Sequence, residues 1–163
     1  MEDAVAVRPR RILLSTVSSD AHTWNLVFLQ LLLEESGHEV INLGPCVPDQ
    51  LLVDMARRLR PDAIVLSSVN GHGHLDGARV IRALRTDPVT RHIPAIIGGK
   101  LGIGGSANAL HSDALIEAGF DAVFHDDGDV DGLRRYLTAL PGGRPALAPA
   151  HAGEVSTEGA NAA

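Results

Sequence analysis

The stretch Ile12-Leu13-Leu14-Ser15-Thr16-Val17, running on into Ser18-Ser19-Asp20-Ala21-His22, decides the fold. The short, mostly apolar run reads as a strand. A polar loop follows it, and then Trp24 to Glu35, a helix closed by Ser36-Gly37. Strand, loop and helix in that order begin a βαβ unit. The same alternation recurs along the chain. Val40 to Leu43 is a second strand, and Asp49 to Leu59 a helix begun after Pro48, with Leu51, Leu52, Met55 and Leu59 on one face. Ala63 to Leu66 is a third strand, apolar throughout, as a parallel strand covered on both faces requires. Leu75 to Arg85 is a helix, Ala95 to Ile97 a fourth strand, Ala107 to Ala118 a helix closed by Gly119, Ala122 to Phe124 a fifth strand and Val130 to Leu140 a last helix.

Five strand–helix units predict a single α/β domain: a flavodoxin-like, doubly wound, five-stranded parallel sheet of order 2-1-3-4-5. Residues 11–140 form that domain. Residues 1–10 are expected to be loose, and residues 141–163, rich in Pro, Gly, Ala, Ser and Thr, to be a disordered tail.

At 163 residues the chain can bury a sizeable core. Aromatics are only 3% of it, so that core is aliphatic. A net charge of −6 speaks against a nucleic-acid partner or an anionic membrane surface. Residues Met1 to Arg11 lack the apolar segment of a signal peptide, and Leu26 to Leu33, interrupted by Gln30, is too short to span a bilayer. A cytoplasmic protein is expected. The single cysteine, Cys46, excludes an internal disulfide and a cysteine zinc site. In Gly44-Pro45-Cys46-Val47-Pro48 it is expected to be a buried or half-buried small apolar residue.

The first helix is unusual. Trp24, Leu26, Val27, Phe28, Leu29, Leu31, Leu32 and Leu33 leave it almost no polar face. Such a helix is covered on most sides. Either a neighbouring element covers its outer face, or a ligand or partner does.

In a parallel sheet the loops after the strands share one rim, and ligands bind there at the switch point between strands 1 and 3. Asp20 and His22 follow strand 1, Ser67-Ser68-Val69-Asn70-Gly71 strand 3, Gly98-Gly99 strand 4 and His125 to Gly128 strand 5. Asp-x-His suits a metal ligand: one ring nitrogen faces the metal while the other donates to the carboxylate, which sets the tautomer and raises ligand basicity. A polar loop histidine bonded to Asp20 accounts for the pair alone equally well. Glycines and hydroxyls on the other loops permit close backbone approach to a ligand. His72 and His74 flank Gly73 and read either as a metal pair or as a solvated loop. Asp126, Asp127 and Asp129 are expected to cap the last helix.

This set resembles the cobalamin-binding domain family, whose hallmark is Asp-x-His-x-x-Gly, then Ser-x-Leu, then Gly-Gly. The matches are Asp20-Ala21-His22-Thr23-Trp24-Asn25, Ser67-Ser68-Val69 and Gly98-Gly99. Asn25 stands where the motif has glycine, and Val69 where it has leucine. Within the family, Ser19-Asp20-Ala21-His22, Val40-Ile41-Asn42-Leu43-Gly44 and Ala118-Gly119-Phe120-Asp121 are similar to the small subunits of glutamate mutase (methylaspartate mutase).

The resemblance implies a cofactor, adenosylcobalamin, bound with its own base displaced and with His22 as the lower ligand of cobalt. It implies cofactor contacts from Asp20, Thr23, Ser67, Val69, Asn70, Gly71, Gly98, Gly99 and Gly128, with the displaced tail between the first helix and the sheet. It further implies an isomerase subunit, inactive alone, in a heteromeric complex with a large barrel-type mutase subunit that carries the radical reaction on its substrate. No catalytic residue is assigned to this chain. The alternative is a stand-alone corrinoid carrier or a cobalamin-dependent sensor. A methyl carrier normally has a helical cap before the first strand, and a regulator an attached output domain; neither is expected from this sequence. A phospho-receiver shares the fold but needs an aspartate after strand 3 and a lysine after strand 5, where Ser67-Ser68-Val69-Asn70 and His125-Asp126-Asp127 stand. A flavodoxin needs a glycine in the loop after strand 1, which Ser18 to Trp24 lacks.

Overall fold

The computed structural model describes residues 8–99, 107–125 and 129–141. Five strands, β1 (Arg11–Thr16), β2 (Glu39–Asn42), β3 (Ala63–Ser68), β4 (Ala95–Gly99) and β5 (Ala122–His125), alternate with five helices. These are α1 (Trp24–Glu35), α2 (Asp49–Leu59), α3 (Gly73–Thr86), α4 (Ala107–Ala118) and α5 (Val130–Ala139). All strand pairs are parallel, and the order is β2-β1-β3-β4-β5. This is the predicted flavodoxin-like sheet.

Successive residues of a strand face opposite sides of the sheet. Here that alternation divides the core in two. Leu13, Ile64, Leu66 and Ile97 pack with Leu52, Ala56, Val80, Ile81 and Leu84 of α2 and α3, and with Leu115 of α4. Ile12, Leu14, Val65 and Ile96 pack with Leu26 and Leu33 of α1, and with Leu133 and Leu137 of α5. Every residue of β3 is buried, as the central strand of a doubly covered sheet must be. Among the described residues no helix is long and apolar enough to cross a membrane.

The strand order reverses between β1 and β3. Their following loops therefore leave toward opposite faces and open a crevice at the rim. Two strands run further than the apolar pattern predicts. β3 continues through Ser67-Ser68 and β4 through Gly98-Gly99, with Ser67 opposite Gly98 and Ser68 opposite Gly99. The ladder is made by backbone groups, so hydroxyl and glycine positions extend it as well as apolar ones do. Ser67 and Gly98 thus sit on the last rungs of the sheet rather than in free loops.

The outer face of α1 is not covered by any described element. Leu26, Leu32 and Leu33 are buried, but Trp24 is 80% exposed, Phe28 55% and Leu31 58%. With Val27 they form an i, i+3, i+4, i+7 stripe on the solvent side. Cys46 is also exposed, contrary to expectation. Its backbone takes a left-handed φ of 52°, and its N–H donates to the Asp20 carbonyl at 2.9 Å and to Thr16 Oγ1 at 3.0 Å. The main chain is the anchored part there, and the thiol is left outside.

Candidate functional site

Asp20 is the fixed point of the crevice. It has no solvent exposure, and four N–H groups converge on its carboxylate. Oδ1 accepts from the His22 backbone N–H at 2.9 Å and lies 2.7 Å from His22 Nδ1. Oδ2 accepts from the N–H groups of Val69 at 2.6 Å and Asn70 at 3.3 Å. Burial by itself pushes the Asp20 carboxyl up. The donors from Val69 and His22, with the His22 ring, outweigh it and hold the group below the usual carboxylate range. It is therefore an anion at neutral pH.

An ionised carboxylate only accepts. The proton between Asp20 and His22 therefore sits on Nδ1, and Nε2 is the ring nitrogen left for another partner. The His22 side chain is 60% exposed while that of Asp20 is 1% exposed, so the pair spans the surface. Chemically it is an imidazole held in one orientation by a buried anion, which is the arrangement of a metal-ligating histidine with its supporting carboxylate. Four positions that the sequence singled out, Asp20, His22, Val69 and Asn70, meet here.

Beside them a groove of about 190 Å³ opens between α1, the ends of β3 and β4, and the start of α5. Ser67, Gly98 and Gly99 line it, together with Asn25, Phe28, Leu29, Phe124 and Leu133. Apart from Asn25, Ser67 and Asp129 its side chains are apolar. Glycine is required at position 99, where φ is 107° and an added Cβ would collide with the Ser68 carbonyl oxygen. Gly98 keeps the groove floor free of side chain between Ser67 and Phe124.

Other expected residues have structural duties. Thr23 is the N-cap residue of α1; its carbonyl accepts from Val27 at 3.1 Å, and its hydroxyl caps nothing. The Asn70 side chain serves the turn itself: Oδ1 accepts from His72 N–H at 3.0 Å, and Nδ2 donates to Ser19 Oγ at 2.9 Å. Gly71 supplies the turn with a φ of 82°. His72 stands at the α3 N-cap, and His74 stacks on His111 with ring centroids 4.0 Å apart. Among the described residues no group of three or more His, Cys, Asp or Glu side chains could hold a metal ion by itself. Asp129 caps α5, accepting from Gly132 N–H at 2.7 Å. Gly128, Asp126, Asp127 and the tail beyond Pro141 lie outside the described residues.

Sequence reasoning missed the groove-lining side chains of α1, β5 and α5. The all-round apolar character of α1 was their one signal, since Asn25, Phe28 and Leu29 border the groove, Phe28 from the edge of the exposed stripe.

A model of the B12 binding domain matches residues 10–130 of the chain. The glutamate mutase sigma subunit of Fusobacterium nucleatum is 30% identical over 115 residues, which cover 71% of this chain and 84% of that protein. Among solved structures, a cobalamin-binding protein from Desulfitobacterium hafniense aligns with a TM-score of 0.60 and 25% identity over 78% of this chain and 59% of that one. The receiver domain of a sensor histidine kinase from Pseudomonas aeruginosa aligns with a TM-score of 0.61 and 21% identity, covering 81% and 97%. That last likeness is one of fold.

Proposed function

The chain belongs to the B12-binding domain family, and on that premise we propose that it is the cobalamin-binding subunit of an adenosylcobalamin-dependent carbon-skeleton mutase of the glutamate mutase type. The observation that carries this reading is the Asp20–His22 pair, 2.7 Å apart, standing beside a groove lined by Ser67, Gly98 and Gly99. The likeness to glutamate mutase sigma subunits supports the mutase assignment over the carrier and sensor alternatives.

The donor set fits a corrinoid. A corrinoid would bring its own nitrogen ligands for cobalt, so a single protein ligand would suffice and no cluster of protein ligands is needed. His22 offers Nε2 for that position. Asp20 holds the ring by Nδ1–H and, being anionic, strengthens Nε2 as a donor. The apolar groove, with no side chain at positions 98 and 99, has a shape suited to the displaced nucleotide tail, and the hydroxyl of Ser67 supplies a polar contact. Bound there, the cofactor supplies a cobalt–carbon bond whose homolysis starts the radical rearrangement. This chain's residues bind and orient; the substrate residues belong to a large, barrel-type partner in the cytoplasm, which covers the rim and excludes water.

Electron paramagnetic resonance of cob(II)alamin bound to ¹⁵N-labelled protein reads the lower ligand directly. Coupling to a protein nitrogen, lost in His22→Ala, is expected. Coupling to a cofactor nitrogen would refute histidine ligation. Co-purification with a large subunit, and rearrangement of glutamate or a related amino acid only when both chains are present, is the expected behaviour of the complex. Tight cobalamin binding with no such partner would favour the carrier or sensor.

A further inference from the structure

A chain of hydrogen bonds runs from α2 to Asp20, the carboxylate partner of His22. Its far end is Asp49 on α2, held by Arg79 on α3. Arg79 Nε and NH2 donate to the two oxygens of Asp49 at 2.5 and 3.2 Å, and NH2 donates also to Ser18 Oγ at 2.8 Å. NH1 donates to Asp76 Oδ1 at 2.7 Å. Asp76 Oδ2 accepts from the Ser19 hydroxyl. Ser19 Oγ in turn accepts from Asn70 Nδ2 at 2.9 Å. Asn70 bonds its own turn through His72 N–H, and its backbone N–H reaches Asp20. Each group plays the role its chemistry allows: the Asp76 carboxylate accepts from Arg79 on one side and Ser19 on the other, Ser19 both accepts and donates, and Asn70 donates to Ser19 and to Asp20.

The series joins the two loops that make the site. Ser18 and Ser19 precede Asp20, and Asn70 follows Val69, whose N–H is the shortest contact to the Asp20 carboxylate. Arg79 is 53% exposed, so its ion pairs contribute little to stability singly. Their consequence is geometric. The Asn70 N–H bond to Asp20 is the longest of the four, and the side chain of the same residue ties the turn to Ser19.

We propose that Arg79 and Asp76, acting through Ser19 and Asn70, are positioning residues for His22. They hold the β3–α3 turn against the β1 loop and so keep the Asp20 carboxylate aimed at His22 Nδ1. This rests on His22 being the cobalt ligand, but its first test does not require cofactor.

In the cofactor-free, ¹⁵N-labelled chain, long-range proton–nitrogen correlation spectra of the imidazoles report the tautomer of His22. Wild type is expected in the Nδ1–H form, and Arg79→Ala and Asp76→Asn as mixtures of the two tautomers. With cob(II)alamin, Arg79→Ala is expected to weaken binding about 3- to 10-fold, less than the roughly 10–100-fold typical of a ligand's direct partner. Arg79→Lys, which restores a charge beside Asp76 but not the bidentate bond to Asp49, should recover part of it. Ser19→Ala should add little to Arg79→Ala, because one chain is broken twice. Circular dichroism and melting temperature near wild type separate this from unfolding. Wild-type tautomer and wild-type affinity in both Arg79→Ala and Asp76→Asn would overturn the proposal. If His22→Ala binds cob(II)alamin as wild type does, the ligand assignment fails, while the tautomer measurement still judges the clamp.

Discussion

Replacing Asp20 by Asn tests the centre of the site, and its magnitude follows from the four N–H groups that converge on the carboxylate. Asparagine has nearly the same shape but only one acceptor oxygen. If that oxygen faces Val69 and Asn70, the amide NH2 meets two donors of His22. If it faces His22, the NH2 meets the donors of Val69 and Asn70. Either way two hydrogen bonds to a charged acceptor are lost, each worth about 1.5–3 kcal/mol. The exposed His22 ring can swing away and relieve one conflict, so the net loss is about 2–4 kcal/mol. Urea unfolding at pH 7 measures it. With a slope of about 2 kcal/mol per molar, the middle of the range for a small domain, the midpoint should fall by about 1–2 M. The difference should also depend on pH in a fixed direction. The Asp20 carboxyl titrates below its ordinary value of 3.8, so its contribution is fully present above that value and is lost as pH falls through the lower, folded value. Wild type and Asp20→Asn should therefore converge in acid. Equal midpoints at pH 7 would refute the argument that these four donors need an anion.

Three further outcomes follow from particular contacts. His38 is buried, and its Nδ1 accepts from the Arg10 backbone N–H at 3.3 Å. Burial, and then the Arg10 charge, depress its pKa below 6.5, so the unfolded chain takes up a proton that the folded chain refuses. Stability should decline as pH falls from 6.5 toward the depressed folded value, and His38→Asn, which keeps an acceptor, should flatten that slope in melts taken across the range. Gly99→Ala puts a methyl group into the Ser68 carbonyl at a backbone angle that L-residues rarely adopt; a loss of roughly 1–3 kcal/mol is expected by denaturation. Trp24→Ala, at a side chain mostly in solvent, should leave stability within about 0.5 kcal/mol of wild type in the same assay. A larger loss would mean that the outer stripe of α1 is covered in solution.

The strand order and both helix-bearing faces were legible in the sequence. Alternation of short apolar runs with helix-length segments leaves few ways to build a parallel sheet, and right-handed crossovers remove most of those. His22 and Asp20 were legible for a similar reason: they are two residues apart, and local spacing brings them together in any loop that follows β1. What only the tertiary structure decided is everything that depends on residues distant along the chain. Val69 and Asn70 reach Asp20 from the neighbouring strand because Thr16 and Ser67 share a rung. The floor of the groove exists because Ser67 pairs with Gly98, a register set by side chains packed on both faces of the sheet and not by any local motif. Whether the outer face of α1 would be covered could not be read from its composition, since a helix apolar all round meets the same pattern whether protein, ligand or solvent lies outside it. The Arg79 series was silent for the same reason. Arginine, aspartate, serine and asparagine are ordinary surface residues one by one, and only the packing of α2 and α3 beside the rim lines up their donors and acceptors.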